Sequence, residues 1–143
     1  MSGVVMYQKN IKAYKANVLE AEMSVADPHR VIQLMMAGLL ERLAMAKGAI
    51  DRKDFEAKSV AVSKSQALIN GLQDSIDLSQ GEISDRLYVL YDYMKDRLMD
   101  ASINMDKQPI DEVANLMITI KSAWDKIPEE EKQKAYAARQ QQG

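Results

Sequence analysis

Between Asp27 and Asp51 the chain has no proline beyond Pro28 at its start, and its apolar residues recur with helical spacing. At 100° per residue, Leu34, Met45, Val31, Met35, Ala46, Leu39, Ile32, Leu43 and Met36 spread over an arc of roughly 200°, whereas a core-facing helix needs an apolar stripe of about 100° or a little more. The pattern predicts a long helix in an all-helical assembly. It also predicts apolar surface that one bundle core does not use, to be covered by a flanking segment, a second subunit or a borrowed partner helix.

The rest of the chain reads the same way. Prolines occur only at 28, 109 and 128, each at a break between helical patterns, and nothing alternates with period two for long enough to make a sheet. Asp27 is placed to cap the first long helix, with Pro28 in its first turn. Asp54 is placed to cap the next, where Ala61, Ser65, Leu68, Leu72 and Ile76 share a face with Val62 and Ile69 beside them. In a third helix, Ile83, Leu87, Leu90, Tyr91, Met94, Leu98, Ala101 and Met105 form a seam that leaves Tyr88, Tyr93 and Met99 outside it. A fourth keeps Ile110, Val113, Leu116, Met117, Ile120, Trp124 and Ile127 on one narrow stripe.

Four long helices with short loops predict an all-α antiparallel up-down four-helix bundle over 27–128, with helices at about 27–51, 54–76, 82–104 and 109–127. Residues 1–26 form an arm outside it, with a short amphipathic helix on which Tyr7, Ile11, Tyr14 and Val18 make one apolar line and Lys9, Lys12 and Lys15 lie elsewhere. Residues 129–143 form a charged tail. Its Glu129–Glu131 run followed by Lys132, Lys134 and Arg139 suits a helix macrodipole, but it has too few apolar residues to hold a helix firmly.

Composition narrows the function classes. With 47% apolar and 28% charged residues in 143, the chain is globular and large enough to bury a core without metals or disulfides. A net charge of -2 offers no field for nucleic acid, and without cysteine there is neither thiol chemistry nor a Cys-ligated metal site. No apolar run reaches the roughly 18 residues of a membrane span, and the start lacks a signal-peptide pattern, so the expected location is the cytosol. The one histidine, His29, falls in the first turn of a helix and is expected to face solvent; no Glu stands three residues before it, so the di-iron bundle pattern is not met. The carboxylates fall on polar helix faces, and no Gly-rich loop with a neighbouring Lys is present to cradle phosphate. The expectation is a binding protein rather than an enzyme, with no metal and no cofactor. Ten methionines beside one Phe and one Trp suit adaptable packing, in a core or at a binding surface.

Several stretches in order resemble one family. They are Met6-Tyr7 with Ala13-Tyr14 seven residues on, Met23-Ser24 leading to Asp27-Pro28, Leu34 and Gly38, and Ala49-Ile50 before a charged turn. Gly81-Glu82-Ile83, Leu87, Leu90-Tyr91-Asp92-Tyr93-Met94, Arg97-Leu98, Ala101, Asp111-Glu112-Val113 and Ala123-Trp124 continue the series. From about Met6 to Pro128 the chain resembles the flagellin-specific secretion chaperones of the bacterial flagellar export system, the FliS family. It departs from the family pattern at Asp27-Pro28, where Ser-Pro is common, and at Met36-Ala37-Gly38, where the family carries an aromatic-Asp-Gly. Gln80-Gly81-Glu82-Ile83 and Ala101-Ser102 also stand in place of Gly-Gly-Glu-Ile and Ala-Asn. Asp caps a helix as well as Ser does, so the first change is neutral.

The resemblance implies an antiparallel helical bundle that binds the disordered C-terminal region of flagellin one-to-one in the cytosol, prevents premature polymerisation and escorts it to the export gate. A gate component, and a co-chaperone or assembly regulator, are further implied partners. The arm line Tyr7, Ile11, Tyr14 and Val18 is expected to cover part of the client surface until the client arrives. The groove itself is expected to use Leu34, Met35, Leu39, Leu43, Tyr88 and Tyr91, although helical periodicity leaves open which side of an over-wide arc faces inward. The alternative from a different class is a homodimeric structural or regulatory bundle without an export client.

Overall fold

The computed structural model describes residues 27–77 and 81–142, so Tyr7, Ile11, Tyr14 and Val18 lie outside the described residues. The described residues form five helices: α1 Pro28–Asp51, α2 Phe55–Asp74, α3 Glu82–Asn104, α4 Gln108–Asp125 and α5 Glu129–Gln142. No strand occurs among the described residues. Residues from Met35 onward form one compact unit; of the other, the described part is residues 27–34.

Local chemistry sets the boundaries. The Asp27 carboxylate accepts from the Arg30 N–H at 3.1 Å, and the Asp54 carboxylate from the Ala57 N–H at 3.1 Å, the two N-caps expected of these residues. Between them the chain turns in a Schellman motif: Asp54 N–H donates to Ala49 C=O at 2.9 Å and Lys53 N–H to Ile50 C=O at 3.0 Å. Lys53 therefore sits in the left-handed region at φ 57, where glycine is the usual occupant. The C-terminus of α3 repeats the device. Met105 has φ 50, and the Asp106 N–H reaches the Ala101 C=O at 3.1 Å.

From Met35 on, contacts between helices pair late positions of one with early positions of the next, so every neighbouring pair is antiparallel. In α1 and α2, Gly38 faces Leu68 and Gly71 faces Met35. In α2 and α3, Lys58 Nζ donates to Ser102 C=O at 2.9 Å and Gln73 Nε2 to Tyr88 C=O at 2.9 Å. Arg97 Nε bonds Glu112 at 3.1 Å between α3 and α4. The ring closes between α4 and α1 through Lys47–Asp111 at 2.5 Å and Lys107–Asp51 at 2.7 Å. This is the up-down four-helix bundle expected from the sequence.

Met36, Leu39, Leu43 and Ala46 of α1, Ala61, Val62, Ile69 and Leu72 of α2, Tyr91, Met94, Leu98 and Ala101 of α3, and Ile110, Val113 and Met117 of α4 are buried. Two polar residues that the apolar pattern passed over, Lys58 and Gln73, are buried as well. Lys58 places its ammonium on a last-turn carbonyl of α3, satisfying an orphan acceptor at the negative end of that helix dipole. His29, expected in solvent, is also buried. His29 keeps helical step with Met36 and Leu43, a register that a count of apolar positions does not credit to a histidine. Ile83, counted in the α3 seam, is 83% exposed. The last turn of α2 meets α3 at Tyr88 and Asp92, so Ile83 projects more than a turn beyond the end of its neighbour.

Candidate binding surface

The wide apolar arc of α1 divides. Met36, Leu39, Leu43, Ala46, Ala49 and Ile50 are buried along a stripe of roughly 140°. On the shoulder beside it Val31, Leu34 and Met35 are partly exposed, and Met45 is 48% exposed. Glu41, Ala44, Met45, Gly48, Arg52 and Ala57 line an open depression of about 410 Å³ where α1 leaves for α2.

Of the six expected groove residues, Leu34 and Met35 are partly exposed and Tyr88 is 37% exposed, while Leu39, Leu43 and Tyr91 are buried. Met35 is seated by Gly71: a Cβ at position 71 would overlap the Met35 Cε methyl, so glycine there opens the notch that receives it. Tyr88 is held through its backbone carbonyl by Gln73, whose amide also donates to Asp92 at 2.7 Å. That bond, helped by Lys95, keeps the Asp92 carboxyl below the ordinary carboxylate value. Tyr91 differs from both. Its phenol makes no hydrogen bond among the described residues, and burial alone pushes its pKa up to about 12.

On the other flank of α3, Tyr93 and Arg97 both donate to the Glu112 carboxylate of α4, and Arg97 also pairs with Asp100 at 3.1 Å. The Tyr93 hydrogen bond first, and Arg97 after it, hold Glu112 below its ordinary 4.5. A carboxyl that binds its proton less readily folded than unfolded lends stability that is complete above its ordinary value and is lost as pH falls through the lowered one. The melting temperature is therefore expected to decline as pH drops below about 4.5, and Glu112→Gln to flatten that decline. Thermal melts of the two proteins at a series of pH values check this; parallel curves would mean that the Glu112 carboxylate lends no pH-dependent stability.

The fold and its surface define the class: an all-α, up-down four-helix bundle that keeps apolar side chains outside its core on α1 and α3. The family described as Flagellar protein FliS matches residues 10–131. The chain is 42% identical over 120 residues, 83% of its own length and 95% of the relative's, to "Flagellar secretion chaperone FliSB" of Pseudomonas aeruginosa. It is 38% identical over 119 residues to "Flagellar secretion chaperone FliS" of Salmonella typhimurium, covering 82% of this chain and 88% of that one. A protein of the same description from Vibrio cholerae is 34% identical over 122 residues, covering 85% and 90%. The chain belongs to the FliS family. No described helix is long and apolar enough to cross a membrane.

Proposed function

We propose that this chain is a cytosolic flagellar export chaperone. Its client is the disordered C-terminal region of flagellin, bound one-to-one, kept from polymerising early and escorted to the flagellar export gate. The observation that carries the reading is the family match along residues 10–131, together with relatives named flagellar secretion chaperones that align over most of both chains. The surplus apolar shoulder of α1 agrees with it, since a filament-forming tail offers amphipathic segments that a helix-in-groove surface can mask.

Of the expected groove residues, Leu34, Met35 and Tyr88 are exposed enough to touch such a client, whereas Leu39, Leu43 and Tyr91 are buried. Burying on the order of 1,500 Å² at about 25 cal/mol/Å² is worth tens of kcal/mol gross. Ordering the tail and losing rigid-body freedom offset most of it, which leaves tight but reversible binding. Co-purification with full-length flagellin, and with flagellin lacking its C-terminal region, tests the reading. Capture of the first alone supports it, and equal capture or none overturns it.

In the same reading the arm line Tyr7, Ile11, Tyr14 and Val18 covers part of this surface until the client displaces it. Replacing Ile11 and Tyr14 together by alanine is expected to change flagellin affinity several-fold while moving the melting temperature by less than about 2 °C. Calorimetric titration beside a thermal melt separates the two effects; a large drop in melting temperature would make the arm a packed helix instead of a cover.

A further inference from the structure

The outer face of α1 carries two unpaired charges of opposite sign. Glu41 and Arg52 lie 11 residues apart, three turns and about 20° of rotation, so they stand on one line with about 16 Å between them. Arg52 keeps the helical register, because its N–H still bonds the Gly48 C=O at 3.1 Å. Both residues are exposed, and neither side chain has an ion pair among the described residues. Between them lies the depression of about 410 Å³, with Ala44 exposed, Met45 48% exposed and Gly48 without a side chain to fill it.

The charges beside this line are engaged elsewhere. Lys47 pairs with Asp111 at 2.5 Å and Asp51 with Lys107 at 2.7 Å, while the Arg42 guanidinium, on the flank toward α2, donates to the Met45 sulfur at 3.7 Å. We propose that this face packs against the same face of a second copy of this chain, antiparallel, about a twofold axis level with the gap between Ala46 and Lys47. Glu41 then meets Arg52 of the partner subunit, and Arg52 meets the partner's Glu41.

An acid and a base equidistant from one midpoint are matched by the same helix turned end for end, whereas a parallel copy would oppose Glu41 to Glu41. The same midpoint lies halfway between Met45 and Gly48, so each methionine comes level with the partner's Gly48 and has the depression to enter. With glycine and alanine at the crossing, the helix axes can approach to the lower end of the usual 8–10 Å. One helix face buries less than the roughly 800 Å² per partner of a standard interface, so the dimer is weak and forms at high concentration. Met35 lies about 17 Å along α1 from the axis, where helices crossing at about 50° have diverged, so it stays open to a client in the dimer.

Sedimentation equilibrium of the full chain in low salt, from about 10 μM to about 1 mM, is expected to show monomer passing to dimer. Glu41→Arg alone sets arginine against arginine at both ends of the crossing, and Arg52→Glu alone sets glutamate against glutamate. Each is expected to weaken association about tenfold or more. Mixing the two variants is expected to restore it, because the mixed pair has an acid opposite a base at both ends. Gly48→Leu is expected to abolish the dimer with the melting temperature unchanged or higher, since a Cβ there meets the flexible end of Arg52 at 3.1 Å and leucine favours the helix.

A chain that stays monomeric throughout overturns the proposal, as does a dimer that either charge reversal leaves intact or that the mixture of variants fails to restore. A dimer that survives Gly48→Leu would place the contact on another face and overturn it too. Loss of flagellin capture in the co-purification, with these association results intact, would count against the proposed client and not against this dimer.

Discussion

Replacing Leu39 by alanine is expected to lower stability by about 2–5 kcal/mol, roughly 10 °C in melting temperature for a chain of this size, while flagellin affinity measured well below the melt changes by less than about threefold. Leu39 is 0% exposed, on the stripe of α1 that also buries Met36, Leu43 and Ala46, so truncation loses both the transfer free energy of the removed atoms and the packing around the hole. Met35 sits one helical step away on the shoulder, with its methyl in the notch at Gly71. Met35→Ser is expected to move stability by about 1 kcal/mol or less and to weaken flagellin binding several-fold. Thermal melts and calorimetric titrations of the two variants separate the faces of α1. A Leu39→Ala protein that melts like the parent but no longer holds flagellin would place the client on the stripe assigned to the core.

The same division explains what the sequence could reveal. The helices and their starts were legible because the signals are local: Asp27 and Asp54 cap through their own carboxylates, and proline marks the breaks. The width of the α1 arc was legible, but its inward direction was not, since that depends on where α2 and α4 lie, a property of the assembled bundle. Periodicity counts apolar positions only, so it passed over Lys58, although Lys58 keeps helical step with Ala61, Val62 and Ser65 on the buried face of α2. What makes its burial tolerable is an acceptor 44 residues away, the Ser102 carbonyl, which no local pattern announces. Ile83 errs in the opposite sense. Its register is right, but the neighbouring helix ends before reaching it.

Tyr91→Phe is expected to raise the melting temperature by a few degrees while flagellin affinity stays within about threefold of the parent. The ring is 1% exposed, yet its hydroxyl has no hydrogen-bond partner among the described residues, and burial alone keeps the phenol protonated to about pH 12. Burying a hydroxyl without a partner costs on the order of 1–3 kcal/mol, and phenylalanine removes that cost while keeping the ring that fills the core between Met94 and the other buried side chains. With so little of the residue exposed, a client docked at Met35 and Tyr88 does not reach the hydroxyl, so the gain is made in the free chain and in the complex alike. Stability is therefore expected to rise and affinity to stay where it is in the variant. Melting curves with and without flagellin measure both. A Tyr91→Phe protein that is less stable when free would mean that the hydroxyl is satisfied within the chain itself, and a marked loss of flagellin affinity would mean that the client reaches the core side of α3.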